Sequence, residues 1–489
     1  MKEKYSIALF PLDNRPVSYL FPKQVADFAG IDLLTPERKY LGDLKHESDL
    51  DYLGHWLKDI NKMPLIISLD NFVYGGLVQS RKHSFTLEKL KSRVDLFKNH
   101  YCRGMSEHAF TIYGFSSIMR IPNYNGSEEE KDYWKDYGEK IFKWSELMHQ
   151  VSNKTVGTTP KLPLLIEEWY QSSKKIPVEI IADYKSHRDK NLTVNIFWLE
   201  LLHKNCFEYL IFSCDDSAKY GMNVIEADYL KKEIKKHNFT NLTKVVSGTD
   251  EIPLVLLTKA ILKNSNLMPS ISLHFNSTTG KDKIARYESN SIHDSVLNQI
   301  GTLGIEIKDL KNSDIALFVH CADSVQGDHI FHKIPEDTKQ NAHELKKLLE
   351  EIKKPFIVVD LAHANGADPN LIEALLNSKI NWSQCYGYAG WNTCSNSTGS
   401  ALAIAINRWI AEKENVFNKE AFKKCLLTRF LDDYAYQAKI RYSKITEEEV
   451  NEKIKPYVKE FSKLFGLTNA QVTCKLPWQR AFEVEVTIR

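Results

Sequence analysis

What the sequence lacks narrows its reading first. No segment approaches the ~20 consecutive apolar residues of a membrane-spanning helix. The opening Met1-Lys2-Glu3-Lys4-Tyr5 runs directly into an apolar strand, without the longer apolar run and small-residue cleavage site of a signal peptide. Basic residues form no long run, and 65 Lys and Arg nearly cancel 63 Asp and Glu. A nucleic-acid backbone is therefore not an expected partner. The eight cysteines, at 102, 206, 214, 321, 385, 394, 425 and 474, are scattered, with no C-x-x-C pair and no tight His/Cys cluster. That scatter predicts free thiols in a reducing compartment, with neither disulfides nor a structural zinc. The expectation is a cytoplasmic chain with no membrane partner. Familiar signatures are missing too: no G-x-x-x-x-G-K-[ST], no G-x-G-x-x-G after the first strand, no G-x-S-x-G and no H-E-x-x-H. Their absence argues against P-loop NTPases, dinucleotide oxidoreductases, serine hydrolases and zincins.

What is present is a chain of 489 residues, 43% hydrophobic and 26% charged, with ample material for a large core. Short β-rich apolar runs alternate with longer helical patterns. Candidate strands are Ser6–Leu12, Leu65–Leu69, Ala109–Phe115, Tyr209–Cys214, Lys244–Ser247, Ser270–Phe275, Ile315–His320, Phe356–Leu361 and Gln384–Tyr388. Strand, polar loop, helix is the rhythm of parallel strands joined by crossover helices, so the fold class is α/β. The expected organisation has a TIM-barrel-like part over residues 1–276, with a helical insertion at about 122–206. A second α/β part over 277–412 completes the barrel or shares its site. A helical region over 413–489 ends in an alternating strand, Phe482–Ile488. Within the insertion, Ser127-Glu128-Glu129-Glu130 reads as a helix start, and Ile176–Leu202 as a long helix. The insertion is a helical excursion packed on the main body or a lid.

Ligands of α/β folds bind at the carboxyl ends of parallel strands, so polar residues just after a strand carry the most weight. Six places qualify. Asp13-Asn14-Arg15 sits between Pro11 and Pro16, a stiff turn that presents its side chains. It anchors a sugar, phosphate or carboxylate, or Asp13 and Arg15 simply pair. Asp70-Asn71 is followed by Tyr74-Gly75-Gly76 and Arg81, and Arg120 follows the third strand. Asp215-Asp216, with Tyr220-Gly221 beyond, is the sharpest. Two adjacent carboxylates in a poorly solvated cleft repel, which raises one pKa and suits it to general acid work. Both reach one site only if the strand ends or bulges at Asp215; otherwise one of them caps a helix. Asp250-Glu251 follows the fifth strand, where Asp250 or Thr249 competes as a helix N-cap. Finally, Asp360, Asn365 and Asp368 occupy one C-terminal loop, and Trp391, Asn392 and Asn396 the next. Such amide-rich loops with an aromatic can hydrogen-bond and stack on a sugar, and are also common turn formers.

Taken together these stretches resemble a bacterial family known only as a domain of unknown function. Its motifs PLDxRPV, SLDxxxYGGLxxSR, a DD pair before YG, WNT…G…A and LPWxRxFE read here as Pro11–Val17, Ser68–Arg81, Asp215-Asp216 with Tyr220-Gly221, Trp391–Ala401 and Leu476–Glu483. The resemblance implies no activity. A second, local one is similar to the catalytic DD pair of O-GlcNAc-type hexosaminidases, where the substrate's acetamido group is the nucleophile. It implies that Asp215 orients the acetamide and Asp216 protonates the leaving oxygen. The leading expectation is thus a glycoside hydrolase of a small N-acetylated sugar conjugate, needing no cofactor. One alternative is a metal-dependent hydrolase or isomerase of a sugar-like substrate, with Asp13, Asp70, Asp215, Asp250, Asp360 and His363 around Mg or Mn. Another is a non-catalytic sugar-binding protein.

Overall fold

The computed structural model describes residues 5–60, 63–102, 111–153, 162–332, 335, 337–442 and 444–489. Fifteen strands are present among them. In chain order β1 is Ser6–Phe10, β2 Asp32–Leu34, β3 Leu65–Ser68, β4 Ile112–Ile118, β5 Tyr209–Cys214, β6 Thr243–Ser247, β7 Ser270–Phe275 and β8 Glu306–Ile307. Then come β9 Ile315–His320, β10 Gly327–Asp328, β11 Phe356–Asp360, β12 His363–Ala364, β13 Cys385–Ala389, β14 Val472–Lys475 and β15 Glu485–Ile488. All nine strands expected from the apolar runs exist. Residues 109–110 of the expected third strand lie outside the described residues.

The strands build two parallel sheets. The first has six, ordered β2-β1-β3-β4-β5-β6, and the second five, ordered β13-β11-β9-β7-β8. In the ladders described, β2 and β6 stand at the edges of the first sheet. Ser270–Phe275, expected with the N-terminal part, pairs instead with β9 and β8 in the second sheet. The helix Ile252–Ser265 makes this possible. It is buried on nearly every side and packs against β3 and β4 of the first sheet and against the helices Ile292–Leu303 and Cys394–Glu414. A helix apolar all round belongs inside a core, so the chain passes through the protein's middle here before starting the second sheet.

Side-chain alternation explains how the first sheet is covered on both faces. Ile7 and Leu9 of β1 join the large core that holds the two central helices. Ala8 and Phe10 join a separate core on the other face, with Leu57, Phe97 and Trp198 from the covering helices. The helix Cys394–Glu414 is buried through Ala411. Gly399 lets it lie close to the neighbouring helix, since a Cβ there would stand 2.7 Å from Glu251 Cγ.

The insertion between β4 and β5 is helical: Trp134–Ser152, Leu162–Ser173 and Val178–Glu200. Residues 127–130 do not start a helix, contrary to expectation. They form a bend, because Glu129 and Glu130 are drawn to buried arginines. The free-thiol expectation fails for one pair: Cys102 and Cys206, 104 residues apart, form a disulfide. Both are buried in the same core below β4 and β5, a proximity that sequence spacing does not reveal. The other six cysteines are free and buried. No helix among the described residues is long and apolar enough to cross a membrane.

Candidate active site

Register decides which residues meet. Ile118 pairs with Cys214 and Cys214 with Ser247, so β4, β5 and β6 end level. Their next residues, including Arg120, Asp215-Asp216 and Asp250, therefore emerge along one rim. Beside them, the turn after β1 places Arg15 under three carboxylates. Its Nε donates to Asp13 Oδ2 at 2.8 Å, its Nη2 to Asp250 Oδ1 at 2.7 Å and its Nη1 to Glu483 Oε1 at 3.0 Å. Burial alone would lower the Arg15 pKa, but the three carboxylates outweigh it and raise it well above the ordinary value. Burial, opposed by Arg15, pushes Glu483 up to about 7, with Asp250 and Asp13 repelling it further. The Asp13–Arg15 pair anticipated as the plain reading is therefore present, inside a larger cluster. Asp250 does not cap the following helix: Glu251 occupies that position without a side-chain cap bond, and Asp250 turns to Arg15 and to Asn392 Nδ2 at 3.1 Å.

A second charged cluster adjoins the first. After β3, Gly75 takes a left-handed φ of 89° to end one short helix, and the next helix carries Arg81. The Arg81 guanidinium donates to Glu129 at 2.6 Å and to Asp215. Arg120 pairs with Glu130 at 2.8 Å, Glu129 at 2.9 Å and Asp216 at 3.1 Å. The adjacent aspartates thus have different partners, Arg81 for Asp215 and Arg120 for Asp216. Burial and the neighbouring Asp215 charge push Asp216 up to about 7, against the pull of Arg120 and Arg81. Burial would also raise Glu129, but Arg120, Arg81 and Arg480 outweigh it and hold it well below the usual range. A carboxyl whose pKa is raised toward neutrality, beside a fixed set of ion pairs, is chemically able to exchange a proton with a bound group.

These groups face a cleft of about 570 Å³. Of the residues expected at a site, Arg15, Arg81, Arg120, Asp215, Asp216, Asp250, Asn365 and Asn392 line it. Asn365 and Asn392 both hold left-handed φ, 60° and 69°, a conformation that asparagine tolerates. A second cavity of about 450 Å³ shares Asp216, Tyr124, Tyr287 and Phe331 with the first, so Asp216 borders both. The Tyr287 carbonyl accepts the Ser217 N–H at 2.7 Å, which ties the Asp-Asp loop to the segment after β7.

The other expected residues are drawn elsewhere. Asp13 lies behind Arg15, and Asn14 accepts a hydrogen bond from Trp478 Nε1 at 2.7 Å. Asp70 accepts from the Ser117 N–H at 2.7 Å and hydroxyl at 2.8 Å, and burial raises it to about 6. Asn71 bridges Ser48 and the Pro11 carbonyl, and Tyr74 stacks on His83. Tyr220 is not on the cleft wall; it packs edge-on against His149 of the insertion. Glu251 is fully buried on Gln299, raised well above its ordinary value chiefly by burial. Asp360 receives the Asp368 N–H at 2.7 Å, while Asp368 pairs with His320 and caps a helix through Asn370. Trp391 is buried near Phe482, and Asn396 is buried in the first turn of its helix. His363 stacks on His329 with its ring centroid 4.4 Å away. The expected carboxylate–imidazole convergence does not form: among the described residues, no three His, Cys, Asp or Glu side chains are grouped to hold a metal ion.

Several cleft residues were not expected at a site from the sequence: Glu129, read as part of a helix start, and Tyr287, Arg441, Trp478 and Arg480. None directly follows an apolar strand. Only the LPWxRxFE stretch, which contains Trp478 and Arg480, carried a signal.

Fold and site define an α/β protein with a charged cleft where the strands of its first sheet end. The chain belongs to the family described as Protein of unknown function (DUF4127), which it matches over residues 7–487. Comparison with curated proteins and with solved structures finds no match.

Proposed function

We propose that this protein is a hydrolase, specifically a glycoside hydrolase acting on a small N-acetylated sugar conjugate. The observation that carries the reading is the pair Asp215-Asp216, two adjacent carboxyls on one cleft with separate arginine partners and the Asp216 pKa raised to about 7. In this mechanism the acetamido oxygen of the substrate attacks the anomeric carbon, and Asp215 accepts the amide N–H to orient it. Asp216 gives its proton to the departing glycosidic oxygen, whose bond to the anomeric carbon breaks. Asp216, now a carboxylate, takes a proton from water as that water's oxygen opens the cyclic intermediate, which returns the acetamide and regenerates the acid. Arg15, with Asp250 and Asn392, forms a rigid wall that grips the sugar rather than reacting with it. A cytoplasmic location belongs to this proposal, although the Cys102–Cys206 disulfide is more at home in an oxidising compartment. The barrel-like arrangement is likewise no requirement, since level strand ends already gather the residues.

The test is turnover of 4-nitrophenyl and alkyl N-acetyl glycosides by wild type, Asp215→Asn and Asp216→Asn. Each variant should lose about 10²–10⁴-fold in kcat/KM. The Asp216→Asn loss should be larger for alkyl than for nitrophenyl leaving groups, which need less protonation. Turnover that survives both substitutions refutes the reading.

A further inference from the structure

Five guanidinium groups line the cleft: Arg15, Arg81, Arg120, Arg441 and Arg480. Four are matched by carboxylates of the chain itself. Arg15 has Asp13, Asp250 and Glu483; Arg81 has Glu129 and Asp215; Arg120 has Glu129, Glu130 and Asp216; Arg480 has Glu128 and Glu129. Arg441 breaks the pattern. Among the described residues no carboxylate forms an ion pair with it, and its Nη1 donates to a neutral acceptor, Gln437 Oε1, at 2.8 Å.

The carboxylates that attract Arg441 from further away are already committed. Asp328 accepts from the Tyr287 hydroxyl, the Ile330 N–H at 2.9 Å and Asn365 Nδ2. Asp432 accepts from Arg429 at 2.9 Å, and Glu483 belongs to Arg15. Burial accordingly lowers the Arg441 pKa, with those distant charges only partly offsetting it. The position is nonetheless built. A π-helical run, Phe430–Ile440, leads into Arg441, whose N–H returns to the Tyr436 carbonyl at 2.7 Å. Phe482 lies 5.0 Å beneath the guanidinium. A part-buried cation without a counter-ion is costly, and π-helical turns occur frequently at functional sites.

We propose that Arg441 receives a negatively charged substituent of the ligand, a carboxylate or phosphate, so that the cleft takes an acidic rather than a neutral sugar conjugate. This deepens the hydrolase reading and rests on it for the sugar. The planar fork suits either anion, giving two parallel charge-assisted hydrogen bonds. The ligand then supplies the counter-charge that the chain withholds from this one arginine.

The full chain is titrated calorimetrically at fixed ionic strength with N-acetylglucosamine, N-acetylmuramic acid and N-acetylglucosamine 6-phosphate. At least one acidic sugar should bind about tenfold or more tighter than the neutral one, and the one that gains identifies the anion. Arg441→Gln should abolish that preference while leaving neutral-sugar binding unchanged. Arg441→Lys, which keeps the charge and loses the fork, should weaken the acidic sugar alone and serves if the glutamine variant fails to fold. The proposal is overturned if no acidic sugar binds more tightly than the neutral one, or if the preference survives the substitutions. Binding is read without turnover. An acid preference lost in Arg441→Gln would therefore stand even if no glycoside is cleaved, whereas cleavage of neutral N-acetyl glycosides by a protein that shows no acid preference would retire this inference alone.

Discussion

Arg15→Gln tests the charged architecture most directly. The substitution deletes the guanidinium that faces Asp13, Asp250 and Glu483 at 2.8, 2.7 and 3.0 Å, all with side chains at most one-tenth exposed. Breaking a buried pair by removing one partner costs about 3–5 kcal/mol, because the remaining charge has neither water nor counter-ion. Here three carboxylates remain, so the upper half of that range is expected at pH 8. The cost should shrink at lower pH. Glu483 titrates at about 7 in the folded protein, against an ordinary value of 4.5. Between those values the folded state holds a proton that the unfolded state has lost. This contribution to stability is complete below the unfolded pKa and disappears as pH rises through about 7. Without Arg15, which opposes that rise, the Glu483 pKa goes higher still, so the variant takes up this proton at higher pH than wild type does, and about 1–2 kcal/mol of the penalty should vanish by pH 5. Urea unfolding followed by tryptophan fluorescence is the assay, since the Trp478 ring lies 5.3 Å from Arg15. Arg15→Gln/Glu483→Gln should be less destabilising than the sum of the single changes, with a coupling of about 1–3 kcal/mol. A loss below about 1 kcal/mol at pH 8, or one independent of pH, would refute the uncompensated-carboxylate argument.

Three further outcomes are expected. The pH profile of kcat/KM should fall on its alkaline side with an apparent pKa near 7, as Asp216 loses its proton; Arg120→Gln, which removes the opposing cation, should move that limb to higher pH. Cys102→Ala/Cys206→Ala should lower stability by about 4–5 kcal/mol in the chain-entropy account of a loop of this length, measured against wild type under non-reducing conditions; equal stabilities would mean that the pair is not bonded in solution. Gly399→Val should cost about 1–3 kcal/mol in urea unfolding, because its Cβ would press Glu251 Cγ at 2.7 Å within the central helix pair.

The strands were legible because buried parallel strands concentrate β-branched and aromatic residues into short runs, as in Tyr209–Cys214. Edge strands such as β2 and β8 escaped notice, being two or three residues long and partly exposed. Which strands share a sheet was not legible either. Ser270–Phe275 has the same local character in either sheet, and its pairing depends on where the helix Ile252–Ser265 carries the chain. The site was read through one rule, that polar residues after a strand face a ligand. The rule reached Arg15 after β1, and Arg120, Asp215, Asp216 and Asp250, the last four following strands that end level. It over-reached at Asp70, Asp360 and Asp368, which face inward and satisfy backbone N–H groups of a neighbouring strand, a loop and a helix start, because side-chain direction after a strand is set by the local turn. It had no purchase on Arg441, which ends a helical run and acquires its place through Phe482.

The Arg15–Glu483 bond spans 468 positions, Trp478 meets Asn14 across 464, and Arg480 reaches Glu129 across 351. During synthesis the first sheet can collapse long before those partners leave the ribosome. Until they arrive, one wall of the cleft is missing and Arg15 lacks one of its three counter-ions. The segment around residues 476–488 thus acts as a clasp, and the wall of the cleft is complete only once these residues have returned to the turn after β1.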